Sequence, residues 1–222
     1  FVFDEKSVTM PELIDALKSN WAGYENLKMS ISKRGKFFGN DDDTSNYAAK
    51  FLYDTLFEYI KNKKTVFGYP ALIGDHTGYQ LHFKWFGEGT KATPDGRCNG
   101  EPLSYGISQD NCKLKNGLTA LMNSISKFDT NGISSATVTN FTLDKLYAED
   151  KNYFEKTVDM LETYFKNGGI QFQLNYMSQE ELLRAKADPE KYKNLKVRVT
   201  GYSDYFTNLN GAIQDSVIQR YK

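Results

Sequence analysis

Cysteine, histidine and net charge are what this 222-residue sequence has least of. Two cysteines, Cys98 and Cys112, cannot supply the disulfide framework of a small secreted domain, and their surroundings match neither a zinc nor an iron–sulfur spacing. The two histidines, His76 and His82, have no nearby cysteine and form no metal pattern; His82 lies in an apolar, strand-like run where it could line a pocket. Lysine and arginine number 28 and aspartate and glutamate 28, with a pI of about 6.9. That balance removes the electrostatic footprint expected of a nucleic-acid or anionic-membrane binder. No apolar run reaches the roughly 18 residues of a membrane span. The opening Phe1-Val2-Phe3-Asp4-Glu5-Lys6 does not read as a signal peptide, and the sparse cysteine fits a reducing cytosol, so a cytoplasmic location is expected. It also lacks an initiator methionine, as a processed protein or a piece of a longer chain would.

The chain is long enough for a sizeable core, and its 40% hydrophobic and 14% aromatic content favours a folded protein over a disordered one. Thr9-Met10-Pro11-Glu12 predicts a capped helix start, followed by Leu13, Leu17 and Trp21 on one packing face. Asn40-Asp41-Asp42-Asp43-Thr44 predicts a second start. Its aspartates suit a helix dipole better than a metal, because no calcium-loop spacing follows. Tyr47, Phe51, Leu52, Leu56 and Ile60 supply that helix's apolar face. Residues 68–119 are punctuated by glycine. Gly87-Glu88-Gly89-Thr90 lacks the lysine of a phosphate loop.

Leu146 through Phe165 predicts a long helix stopped at Asn167-Gly168-Gly169, and Ile170 to Leu174 alternates like a half-buried strand. Ser178-Gln179-Glu180-Glu181 starts another helix, ending near Asp188-Pro189. Val197-Arg198-Val199 reads as a short strand entering a turn at Gly201, and Ile213, Val217 and Ile218 mark a final helix.

Several segments, in order, carry a family resemblance. They include Phe38-Gly39-Asn40-Asp41-Asp42-Asp43, Pro94-Asp95-Gly96-Arg97, Gly100-Glu101-Pro102-Leu103-Ser104-Tyr105-Gly106, and Gln173-Leu174-Asn175. The last is Arg198-Val199-Thr200-Gly201-Tyr202-Ser203 with Gln214-Asp215-Ser216-Val217-Ile218-Gln219-Arg220 behind it. The set resembles the C-terminal part of glycyl radical enzymes of the pyruvate formate-lyase-like superfamily, and Ser203 places it nearer the lyase and dehydratase branches. The resemblance implies that Gly201 stores an unpaired electron on its α-carbon. A glycine can become planar there and delocalise the spin onto the flanking amides, which a side chain would hinder.

The resemblance further implies Arg198, Tyr202 and Ser203 as supports of the radical loop. Gln173, Asn175 and Arg97 are candidates for groups just behind the reacting atoms. For Gln173 and Asn175, completing strand and turn hydrogen bonds is an equal alternative, and for Arg97 holding a loop is preferred. No metal is expected. The implied fold is α/β: the C-terminal portion of a ten-stranded α/β barrel with surrounding helices and a buried glycine loop. Residues 1–175 would be late barrel elements and packing helices, and 176–222 the glycyl radical domain. No bound cofactor is expected; the radical would be installed by a separate activating enzyme using S-adenosylmethionine and an iron–sulfur cluster.

Neither Cys98 nor Cys112 has the glycine-flanked setting of the family's thiyl cysteine. The implied partners are therefore a larger N-terminal portion or large subunit carrying that cysteine, the radical S-adenosylmethionine activating enzyme and a small-molecule substrate. The complete enzyme would be a homo-oligomer, with no nucleic acid or membrane involved. The chain is not expected to turn over substrate alone. The leading expectation is a dehydratase or other radical carbon–oxygen or carbon–nitrogen lyase acting on a small polar metabolite in anaerobic metabolism. The alternatives are carbon–carbon chemistry, as in formate acetyltransferase-like cleavage or decarboxylation, and a non-catalytic radical-repair or interaction subunit.

Overall fold

The computed structural model describes residues 1–71, 73–75, 82–104, 113–128, 133–143, 152–199 and 201–220. It divides into two compact units: Phe1–Gly35 with Leu81–Leu103, and Lys36–Gln80 with Ser104–Lys222.

The first unit contains α1 (Met10–Lys18), α2 (Glu25–Arg34) and α4 (His82–Gly89). Thr9 and Glu12 form the reciprocal box that starts α1: Thr9 Oγ1 accepts from the Glu12 N–H at 3.3 Å, and Glu12 Oε2 accepts from the Thr9 N–H at 2.8 Å. α1 ends before Trp21, which follows in left-handed backbone (φ 69°) yet is buried, its indole N–H donating to the Arg97 carbonyl at 3.2 Å. His82 begins a helix rather than lying in a strand. Its ring sits 5.6 Å from that of Trp85 and 5.7 Å from that of Phe86, the i+3 and i+4 neighbours that a helix brings to one side. The backbone of Glu101 and Pro102 crosses α4 so closely that a Cβ on Gly87 would lie 2.3 Å from the Glu101 carbonyl oxygen.

The second unit contains α3 (Asp43–Ile60), α5 (Gly117–Ile125), α6 (Tyr153–Lys166), α7 (Gln179–Ala187) and α8 (Gly211–Gln219). Its strands are β1 (Ile73–Asp75), β2 (Ile133–Thr137), β3 (Asn140–Leu143), β4 (Gln173–Tyr176), β5 (Lys196–Arg198) and β6 (Ser203–Tyr205). β1 pairs parallel with β2 and β3 parallel with β4, while β5 and β6 form an antiparallel hairpin. The fold is a mixed α/β one, and the ten-stranded barrel expected from the sequence is corrected. The described strands form three separate two-stranded sheets, so no continuous ladder runs between them to curve or close.

The core of this unit joins Leu121, Met122 and Ile125 of α5 to Phe128, Phe141 of β3 and Tyr164 of α6. Phe141 meets the Tyr164 ring edge-on with centroids 5.6 Å apart. Tyr164 also requires Gly169, because a Cβ there would come within 2.3 Å of its ring. Burial pushes the Tyr164 phenol pKa up, partly opposed by the polar Thr139 side chain beside it.

Three sequence expectations shift in detail. The described helix begins at Tyr153, and the expected part from 146 to 151 lies outside the described residues. β4 starts at Gln173 rather than Ile170; ahead of it the Gln171 carbonyl is taken by Tyr164 Oη, which donates to it at 3.1 Å. The apolar face of α3 is not core; Tyr47, Phe51, Leu52 and Leu56 are exposed, and it is Ala49 and Tyr53 that pack against the core cluster. The aspartates do start α3: Asp42 Oδ1 accepts from the N–H groups of Thr44 (3.0 Å) and Ser45 (3.1 Å).

Candidate functional site

The glycine turn is built on the β5–β6 hairpin. Arg198 pairs with Ser203, and the Val199 N–H donates to the Tyr202 carbonyl at 3.0 Å, closing the loop that carries Gly201. Val197 and Val199 are buried and fix the strand from within. Phe206, which follows the hairpin, is fully buried, and its N–H returns to the Leu195 carbonyl at 2.7 Å.

β4 anchors this hairpin with side chains in place of a continued ladder. Asn175 is buried and satisfies both backbone groups of Arg198: Oδ1 accepts from the N–H at 2.9 Å, and Nδ2 donates to the carbonyl at 3.0 Å. The Arg198 guanidinium donates from Nε to Gln173 Oε1 and from Nη1 to Ser203 Oγ, both at 3.4 Å. From just beyond α8, Arg220 Nη1 adds a bond to the Arg198 carbonyl at 3.3 Å. The structure thus brings Gln173, Asn175, Arg198 and Ser203 into one polar cluster beside the turn. Arg220 was not among the residues singled out from sequence; its only signal was its place at the end of the segment following the glycine motif.

Gly201 itself is exposed, which corrects the expected buried glycine loop: none of the described residues packs over it. Its φ is not in the left-handed region, and an added Cβ would meet nothing within 4 Å. Gly39, by contrast, has φ +97° and Gly168 has φ +102°.

Arg97 lies in the other unit, buried, with its guanidinium donating to the backbone carbonyls of Thr90 (3.0 Å), Lys91 and Glu101. Those bonds tie residues 90–101 into a closed loop. Cys98 is half-buried in this loop and Cys112 lies outside the described residues, as does His76. No cluster of three or more histidine, cysteine, aspartate or glutamate side chains able to hold a metal occurs among the described residues. Nor is any described helix long and apolar enough to cross a membrane.

Residues 103–207 match the family model described as glycine radical, and residues 1–74 the one described as pyruvate formate lyase-like. Trans-4-hydroxy-L-proline dehydratase of Clostridioides difficile is 32% identical over 99% of this chain. The solved structure of hydroxyproline dehydratase from that species, with trans-4-hydroxy-L-proline bound, superposes with a TM-score of 0.90 at 31% identity over 99% of the chain and 28% of its own length. The glycerol-bound form of the B12-independent glycerol dehydratase from Clostridium butyricum superposes with a TM-score of 0.88, also at 31% identity and over the same shares. The chain spans 27% of the length of the curated dehydratase. By these matches it belongs to the glycyl radical, pyruvate formate-lyase-like superfamily, closer to its lyase and dehydratase branches.

Proposed function

We propose that this chain is the radical-storing portion of an anaerobic glycyl radical lyase, a dehydratase-like enzyme acting on a small polar metabolite, with Gly201 as the radical site. The observation that carries this reading is that, among the described residues, no steric demand explains glycine at position 201. The backbone there lies outside the left-handed region, and no described residue comes within 4 Å of an added Cβ. A glycine kept without a steric or conformational reason, inside the segment matching the glycine radical family, points to a chemical one. Only glycine gives an α-carbon radical that flattens without side-chain interference.

In the proposed cycle a separate activating enzyme removes one hydrogen atom from the Gly201 α-carbon. The radical carbon then takes the S–H hydrogen of a cysteine outside this chain, leaving a thiyl radical. The thiyl abstracts hydrogen from substrate, the substrate radical loses its leaving group, and the product radical recovers hydrogen from the thiol. Return of hydrogen from Gly201 to the thiyl stores the spin again. Arg198, Ser203, Gln173 and Asn175 serve in this scheme by holding the flanks of the turn, and residues 176–222 act as the radical-bearing region. Relatives named for the dehydration of hydroxyproline and glycerol support small polar substrates and loss of a hydroxyl group.

The test is electron paramagnetic resonance of the assembled, anaerobically activated enzyme. Native protein is expected to give an organic radical doublet that collapses on α-carbon deuteration of glycine, and Gly201→Ala to fold normally without it. A doublet that survives in Gly201→Ala would refute the assignment. Product analysis with polyols and hydroxyamino acids then separates dehydration from carbon–carbon cleavage.

A further inference from the structure

The first unit holds a nucleophilic pair. Lys28 of α2 donates from Nζ to Cys98 Sγ at 2.8 Å, so nitrogen and sulfur are already in contact. The pair is held from both sides. The Lys28 stem runs past Gly96, where an added Cβ would lie 3.7 Å from Lys28 Cγ. The Cys98 N–H donates to Glu101 Oε2 at 2.7 Å, and the next N–H, of Asn99, to Asn20 Oδ1 at 2.7 Å. The neighbouring Arg97 carbonyl accepts from Trp21, and its guanidinium binds the loop's carbonyls. Both groups are half-buried, so a small oxidant can reach the sulfur while the amine stays beside it.

We propose that Lys28 and Cys98 form an oxidative modification site, in which the lysine amine captures an oxidised Cys98 as a covalent sulfur–nitrogen cross-link. Hydrogen peroxide is the oxidant. The thiolate attacks one peroxide oxygen and breaks the O–O bond, giving sulfenic acid and water. The Lys28 ammonium releases a proton to solvent, and the amine displaces water from sulfur to form the S–N bond. Sulfur gives up two electrons, peroxide accepts them, and one thiol, one amine and one peroxide become one sulfenamide and two waters. Condensation of sulfenic acid with a backbone nitrogen is the established parallel. A fixed neighbour competes effectively with a second peroxide because its attack is intramolecular. The cross-link joins α2 to the 90–101 loop, and thiol reduction reverses it, whereas sulfinic acid would be permanent.

The experiment is peroxide treatment of the native protein, quenching, non-reducing digestion and peptide mass spectrometry. The expected product is a joined pair of Lys28 and Cys98 peptides, lighter by two hydrogens than their sum and separated by dithiothreitol. Recovery of Cys98 as sulfinic acid, or in a disulfide with Cys112, with Lys28 unmodified would overturn the proposal. Lys28→Arg keeps a cationic donor but loses the nucleophile. With an unchanged circular dichroism spectrum, it should give no cross-link and several-fold more sulfinic acid at Cys98. Equal protection of Cys98 in that variant would also overturn it.

Discussion

Replacing Asn175 by alanine should loosen the glycine hairpin more than it destabilises the rest of the chain. The Asn175 side chain supplies the acceptor for the Arg198 N–H at 2.9 Å and a donor for the Arg198 carbonyl at 3.0 Å, at a position only 2% exposed. Alanine leaves the N–H without that acceptor, which costs about 1–3 kcal/mol for a buried donor. The carbonyl suffers less because Arg220 Nη1 still reaches it at 3.3 Å. A total of about 2–3 kcal/mol raises the local opening equilibrium roughly 30- to 150-fold. Native-state amide exchange reads this directly: the Arg198 amide should exchange faster by that factor, while α6 amides hold their native rates. Asn175→Asp keeps the acceptor and should leave the Arg198 amide much closer to native than Asn175→Ala does. An Arg198 amide that does not respond to alanine, or an acceleration spread evenly over α6 and the hairpin, would refute the idea that this one side chain fastens β5 to β4.

Gly201→Ala should leave Tm within about 0.5 kcal/mol equivalent of native, since its Cβ meets nothing within 4 Å; a large loss by thermal melting would show a mechanical role instead. Gly87→Ala should cost about 1–3 kcal/mol or more by chemical denaturation, because its Cβ would sit 2.3 Å from the Glu101 carbonyl oxygen. On α3, Tyr53→Ala should cost about 1–3 kcal/mol through loss of its stack on Phe128, centroids 4.6 Å apart. Phe51→Ala, two positions away and 61% exposed, should fall within about 0.5 kcal/mol of native. Hydrogen bonds from the Ser45 N–H first and Lys36 and Thr44 next hold the Asp42 carboxyl below its usual range, and the Thr9 hydroxyl and N–H do the same for Glu12. Folded-state values below the unfolded ones mean that this stability is complete above the usual carboxyl range and is lost as pH falls through the lowered values. Asp42→Asn keeps a cap acceptor without the titration, so Tm measured down through that range should fall less steeply than in native protein.

Local chemistry made much of the fold legible. Thr9, Asp42 and Ser178 cap helices, each oxygen meeting an N–H two or three residues on, and Gly168 stops α6 with φ +102°. Ile213, Val217 and Ile218 are buried on α8 as their spacing implies, but for α3 and β4 sequence could not supply which face is buried. α3 carries its aromatic stripe outward because the core reaches it only through Ala49 and Tyr53. β4 inverts the usual logic: its buried positions are Gln173 and Asn175, because what faces them is the Arg198 backbone and guanidinium rather than apolar side chains. Periodicity finds alternation but not its polarity. The barrel expectation came from the resemblance alone, and strand pairing beyond each two-stranded sheet is a long-range property that no local pattern in 222 residues encodes. Around Gly201 the motif carried the position, whereas the Arg220 contact depends on where α8 ends in space.

Storage and transfer of a radical make opposing demands on one turn. Storage needs fixed flanks, so that the two amides over which the spin spreads keep a constant orientation. Transfer needs an open α-carbon, so that the activating enzyme and a thiol can each approach it. Under the proposed function, the hairpin separates these demands along the chain. The Val199–Tyr202 bond closes the turn, and the Asn175–Arg198 pair and the buried Val197 and Val199 bind its entering strand. Gly201 is exposed in the turn, outside the left-handed region, and an added Cβ there would meet none of the described residues within 4 Å. Under the proposed function, substitutions at Gly201 should therefore change chemistry with little effect on folding. Substitutions at Asn175 should change the loop's order first and the lifetime of the stored radical in consequence, a separation that Gly201→Ala and Asn175→Ala measured side by side would display.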